Sequence, residues 1–187
     1  MKTDSKQAER TFAFMTVLED PAAGMVGGLL VVNGRGRPVE FHCTASIAPS
    51  RAEEILFGPT LRPHFYCERI GSALIGRLSA APSLLVIHQV ECWPIAEDTE
   101  SNVVLVDPQA AADPQGGNAS NRAAIACLDR IAPATRDEVQ ALLDELVRYI
   151  DLAEPFERVK LAIREAGLLG SHADNQNDGE AVHDVAA

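Results

Sequence analysis

A chain of 187 residues that is 47% hydrophobic can bury one sizeable core, and with aromatics at only 5% that core must rest on Leu, Ile, Val and Ala. So few aromatics argue against base-stacking platforms for nucleic acid, and apolar runs as short as 27–32 and 84–87 are too brief to span a bilayer. The net charge of −11 is uneven: residues 1–94 hold nine bases and nine acids, whereas 95–117 hold five acids and 171–187 four, with no base in either, so the acidity describes a loop and a tail.

Residues 1–10 are polar and mixed in charge, with no secretory pattern. A cytoplasmic location is therefore expected, with Cys43, Cys67, Cys92 and Cys127 as reduced thiols.

Residues 11–18 (TFAFMTVL) read as a strand rich in β-branched and aromatic residues, stopped by Glu19-Asp20-Pro21. Residues 25–32 read as a second strand, and Asn33-Gly34-Arg35-Gly36-Arg37 as a tight reversal. Residues 39–47 alternate Val39, Phe41, Cys43, Ala45 and Ile47 with Glu40, His42, Thr44 and Ser46, which predicts a strand with the first set buried. Ser50 and Glu53 form a capping box that opens a short helix ending at Gly58-Pro59. From Thr60 a longer helix carries Cys67, Ile70, Leu74 and Leu78 as one stripe, and Gly71 and Gly76 are expected to let it approach a sheet.

Residues 83–91 read as a buried strand and 103–106 as another. Residues 108–121 form a turn-rich linker, and 122–170 a helical segment that packs on the sheet or on a partner. Within it Thr135 and Glu138 form a second capping box, followed by an apolar face of Val139, Leu142, Leu143, Leu146, Val147 and Ile150. A last helix starts at Pro155 with Phe156, Val159 and Ile163 inward, and 171–187 is expected to be a disordered acidic tail.

The sheet domain over 1–107 is thus expected to be α+β, in the order β-β-β-α-α-β-β. The preferred architecture is a mainly antiparallel sheet backed by helices, as in small sensor or trafficking modules. The alternative opens on a three-stranded meander, as in ribonuclease-H-like domains, and normally sets a helix between its last two strands. Residues 92–101 are short and polar for that purpose.

Three constellations invite chemistry. Cys43 followed by Arg51 resembles the thiolate and arginine of cysteine phosphatases, but the spacing is two residues too long and lacks the loop glycine. His42, Cys43, His64, Cys67, His88 and Cys92 offer zinc-type donors, with His64 and Cys67 on one helical face, but without any paired Cys-x-x-Cys. Cys43 and Cys67 as core neighbours is the simpler account. A two-metal nuclease would use Glu68, Glu91 and a third acid, yet the first strand carries none. No nucleophile elbow, Walker loop or dinucleotide fingerprint is present.

Residues 35–77 carry six arginines against four glutamates, and Arg35 and Arg37 project from a hairpin tip where they can meet an acidic partner or phosphate. With His42 they are the candidate binding residues; no catalytic residue, metal ligand or cofactor is assigned. The expectation is a non-catalytic interaction or regulatory module that contacts a protein partner or a second copy of itself, and neither membrane nor nucleic acid. The alternative is a metal-dependent hydrolase of phosphate esters or nucleic acid.

Overall fold

A computed structural model describes residues 10–106 and 133–168. Its centre is β1 (Thr11–Asp20), in which Phe12 to Val17 are all buried. A strand covered on both faces needs apolar residues at both alternating positions, and this run supplies them with Thr16 as the one polar exception. β1 pairs antiparallel with β2 (Gly24–Asn33), and β2 pairs antiparallel with β3 (Pro38–Cys43). On its other side β1 pairs parallel with β4 (Leu84–Ile87), which pairs parallel with β5 (Asn102–Leu105). The sheet order is β3-β2-β1-β4-β5.

The fold class is therefore α+β with a mixed sheet, and the expectation of a mainly antiparallel one is corrected. Three-stranded meander first and two parallel strands after is the alternative layout. The objection to it was the short connection between the last strands. Residues 88–101 cross over with only a 3-10 segment, Val90–Glu97, in place of a full helix, and a connection of a dozen or so residues is enough to return a chain to a parallel neighbour.

Helices cover both faces. On one lie α1 (Arg51–Phe57) and the irregular helix α2, which joins a 3-10 turn (Gly58–Thr60), an α turn (Leu61–Pro63), a π segment (His64–Gly71) and a last α turn (Ser72–Ile75). The capping box at Ser50 and Glu53 is formed. Phe65, Tyr66, Cys67, Ile70 and Leu74 of α2 pack with Ala13, Met15, Val17, Leu29, Val31 and Leu85. On the opposite face lie α3 (Pro133–Leu146) and α4 (Glu154–Glu165). Their Val139, Leu143, Leu146, Phe156, Val159 and Ile163 pack with Phe12, Phe14, Leu30, Val32, Leu84 and Val86. α3 begins at Pro133, so Thr135 lies within the helix instead of capping it. The linker, the fourth cysteine and the tail fall outside the described residues.

Close approach is set by glycines on the sheet. A Cβ at Gly27 would collide with Ile70 of α2, and one at Gly28 with Val159 and Ile163 of α4. Gly71 of α2 instead makes room for Ile95 of the 3-10 segment, so the expected contact of that glycine with the sheet is corrected. Adjacent glycines of β2 thus admit a helix on each face, Ile70 of α2 against Gly27 and Val159 and Ile163 of α4 against Gly28.

The burial of β3 is also corrected. Val39 and Phe41 are 53% and 39% exposed, while Glu40 and His42 are partly covered. The alternation is present but the strand is at the sheet's edge. α4 packs over β1 and β2 and leaves the outward row of β3 uncovered. The strand itself ends at Cys43, and Ile47 returns to pair with Met25 as a single bridge. Cys43 packs toward the α3 and α4 face and Cys67 within the other layer, so the two thiols are not core neighbours.

Gly27→Val should lower stability by about 1–3 kcal/mol, the range for overpacking a filled core. The same measurement by urea denaturation on Gly34→Ala, where an added Cβ meets nothing closer than 3.7 Å, should read within about 0.5 kcal/mol of the parent.

Candidate functional site

Open sheets with parallel strands bind ligands beyond the carboxyl ends of those strands. Here that place lies past β1 and β4, where Glu19, Asp20, His88, Gln89 and Glu91 follow one another in two adjacent strand ends.

On the α3 and α4 side, Thr16 Oγ1 and His88 Nε2 share a hydrogen bond of 2.7 Å. The imidazole packs edge-on against Phe156 of α4 with ring centres 4.6 Å apart. Burial, with Lys160 nearby, pulls the ring down to about 4, so it is neutral near pH 7. Gln89 does something different. β4 ends at Ile87, and the Gln89 side-chain amide then takes over the ladder. It accepts from the Val17 N–H at 2.8 Å and donates to the Val17 carbonyl at 2.8 Å. A buried backbone pair that would otherwise lose its partners is satisfied by one side chain.

On the α1 and α2 side, Arg62 and Tyr66 sit one turn apart and both reach Glu19. The Tyr66 hydroxyl donates at 2.7 Å and the Arg62 guanidinium at 2.9 Å, while Arg62 also pairs with Glu91 at 3.4 Å. Burial and the Glu19 carboxylate push the Tyr66 phenol upward, and Glu19 raises Arg62 further, so neither changes charge near neutrality. Asp20 Oδ1 accepts from the amides of Ala22 and Ala23 and closes the β1–β2 turn.

His64 and Cys67 do share a helical face, and both line a cavity of about 390 Å³ with Phe57, Glu68, Pro94 and Asp98. His64 stacks on Phe57 and its Nδ1 meets Glu68 at 2.8 Å. The Cys67 thiol donates to the Glu91 carbonyl, and burial pushes it up to about 11, which keeps it protonated and a poor ligand or nucleophile. Among the described residues no three His, Cys, Asp or Glu side chains are grouped as metal ligands. Glu68 and Glu91 are each bound to a different basic partner, His64 and Arg62. His42 and Cys43 point to opposite faces, as neighbours on a strand must, and Arg51 pairs with Glu54.

The candidate binding residues divide into two places. Arg35 and Arg37 share the β2–β3 turn, in which Asn33 Oδ1 accepts both of their backbone amides and Gly36 takes a φ of 75°. His42 lies about 17 Å further along β3 at the usual rise per residue, on the other face, where it hydrogen-bonds Glu40 at 3.0 Å. That bond, aided by the Ser79 amide, holds the Glu40 carboxyl below its usual range.

Gln89 and the Glu19–Arg62–Tyr66 triad escape sequence reasoning because their partners are distant in the chain. The available signals were a lone threonine in an apolar strand and a His-Gln pair closing another.

No protein-family model matches this chain, and no curated protein matches it.

Two outcomes are expected. The folded pKa of His88 lies below its ordinary 6.5, so unfolding takes up a proton between 6.5 and about 4. Its contribution is fully present above pH 6.5 and falls as pH drops through that window, by on the order of 3 kcal/mol. Urea midpoints from pH 7.5 to 4.5 should show this slope in the parent, and His88→Gln should remove that part of it. Separately, Gln89→Leu strands the Val17 amide and carbonyl. It should cost about 1–3 kcal/mol and speed hydrogen exchange at Val17 more than at Phe14.

Proposed function

We propose that this chain is a non-catalytic, cytoplasmic interaction module. One observation carries the reading. Where a sheet of this kind would hold its substrate, the polar side chains are engaged with one another. Thr16 is spent on His88, Gln89 on Val17, and Glu19 and Glu91 on Arg62. Groups committed to internal partners at both strand ends hold the scaffold; they do not wait for a reacting atom.

The uncommitted groups lie elsewhere, on open surface. α1 has no buried residue and shows Ile55 and Leu56 at 67% and 82% exposure. The edge strand shows Val39 and Phe41, and its turn shows Arg35 and Arg37. Exposed large apolar side chains on a folded scaffold are what a protein-binding surface requires.

The alternative, a metal-dependent hydrolase of divergent ribonuclease-H-like layout, draws support from the strand order alone. Strand order is shared by unrelated activities, and the argument for chemistry has to come from the site. β1 brings no acid within its buried span, and Glu68 and Glu91 turn to separate bases.

The test is hydrolysis of p-nitrophenyl phosphate, bis-p-nitrophenyl phosphate, single-stranded DNA and an RNA–DNA hybrid with magnesium or manganese. The full chain should give no turnover that Glu91→Gln or Glu68→Gln removes. Turnover lost in either variant would establish the hydrolase instead.

A further inference from the structure

We infer that β3 is the docking edge, and that its occupant is an extended peptide segment of a partner, apolar at alternate positions and acidic at the end that meets Arg35 and Arg37. This rests on the interaction-module reading and gives it a surface and a partner chemistry.

The backbone supplies the first element. β3 closes the sheet order on one side, so among the described residues no strand lies beside its outer edge. The Thr44 amide donates to the Gly27 carbonyl, and in an antiparallel pair the bonded positions alternate. His42 and Glu40 are then the residues bonded to β2. The N–H and C=O of Phe41 and Cys43 point outward, ready to receive another strand in the manner of β-augmentation.

The side chains supply the second. Edge strands that resist pairing place charge along the exposed row or bulge away from it. β3 has one such irregularity, at Val39 opposite the Val31–Val32 step, and pairs regularly from Glu40 to Cys43; its row of Val39 and Phe41 is exposed, and the one carboxylate of the strand, Glu40, is held by His42 and Ser79. An apolar row beside the strand edge is thus available to alternate side chains of an incoming segment.

Charge sets the identity of that segment. Two carboxylates in this region are already paired: Glu145, which faces Gly34, holds Arg10, and Glu154 holds Arg158, whose guanidinium reaches the Gly36 carbonyl. Arg35 and Arg37 form no ion pair among the described residues and are both exposed. Two uncompensated guanidiniums at one end of an open strand select acids at the matching end of the partner.

The experiment uses the full chain and a fluorescein-labelled peptide of alternating valine and threonine that ends in three acids. A second peptide ends in three lysines, and a third carries the acids but has alternate backbone amides methylated. Saturable binding of the acidic peptide is expected, with protection of the Phe41 and Cys43 amides in hydrogen exchange. Affinity should fall at least tenfold for the lysine and methylated peptides. Arg35→Glu with Arg37→Glu should reverse the preference between acidic and lysine ends while leaving the melting temperature in place, since neither side chain holds an ion-pair partner among the described residues.

Equal binding of all three peptides, or none at millimolar concentration, overturns the inference, and does so without touching the hydrolysis result on which the interaction reading stands. Protection of Phe41 and Cys43 in the free chain also overturns it. If deletion of residues 169–187 removes that protection, the occupant is that segment; if dilution removes it together with a dimer in sedimentation, the occupant is a second copy.

Discussion

Everything in this molecule depends on β1 being enclosed. It is hydrogen-bonded on both edges, antiparallel to β2 and parallel to β4, and covered on both faces by helices. Six consecutive buried residues follow from that position, five of them apolar, and each large apolar side chain so placed contributes about 1.5–3 kcal/mol of hydrophobic free energy. The cost is that every backbone and side-chain polar group near it needs an internal partner. Thr16 finds one in His88, and Val17 finds one in the amide of Gln89 after β4 has ended.

That same enclosure decides what the carboxyl ends of the strands can do. A site for chemistry needs polar groups held ready but unspent. Here Glu19 is bound to Tyr66 and Arg62, and Glu91 to Arg62, so the strand ends are closed by a network that ties α2 to β1 and to the 3-10 segment. Replacing one member would leave a buried hydroxyl or a charge without its partner, which explains why such a network stiffens the scaffold. The glycine pair in β2 acts in the same direction, since it lets α2 and α4 seat against adjacent residues from opposite faces.

Openness is displaced to the periphery. Among the described residues the sheet has five strands and α4 spans the inner part of it, so the outermost antiparallel strand keeps an exposed apolar row and an edge with no strand beside it. The turn that leads into it is held by Asn33 and packed against Ile150, and this stiffness presents Arg35 and Arg37 from a fixed base. A rigid presentation lowers the ordering cost of binding an extended segment.

Local signals in the chain were sufficient for β1, β2, the capping box at Ser50, the stripe of α2 and the inward faces of α3 and α4, because period and capping are properties of neighbouring residues. They also showed that residues 39–43 alternate. They did not show which row is covered, because burial on an edge strand depends on how far a helix from residues 154–165 extends across the sheet. The parallel direction of β4 and β5 was open for a similar reason: residues 88–101 permit either a hairpin-like return or a crossover, and only packing against β1 chooses between them. The thiols, His42 and the scattered acids were legible as residue types capable of chemistry, but convergence is a matter of three-dimensional distance. Tertiary structure set Cys43 and Cys67 on opposite layers and gave Glu68 and Glu91 to different bases, and it gave Glu145 to Arg10 and Glu154 to Arg158, while among the described residues Arg35 and Arg37 form no ion pair.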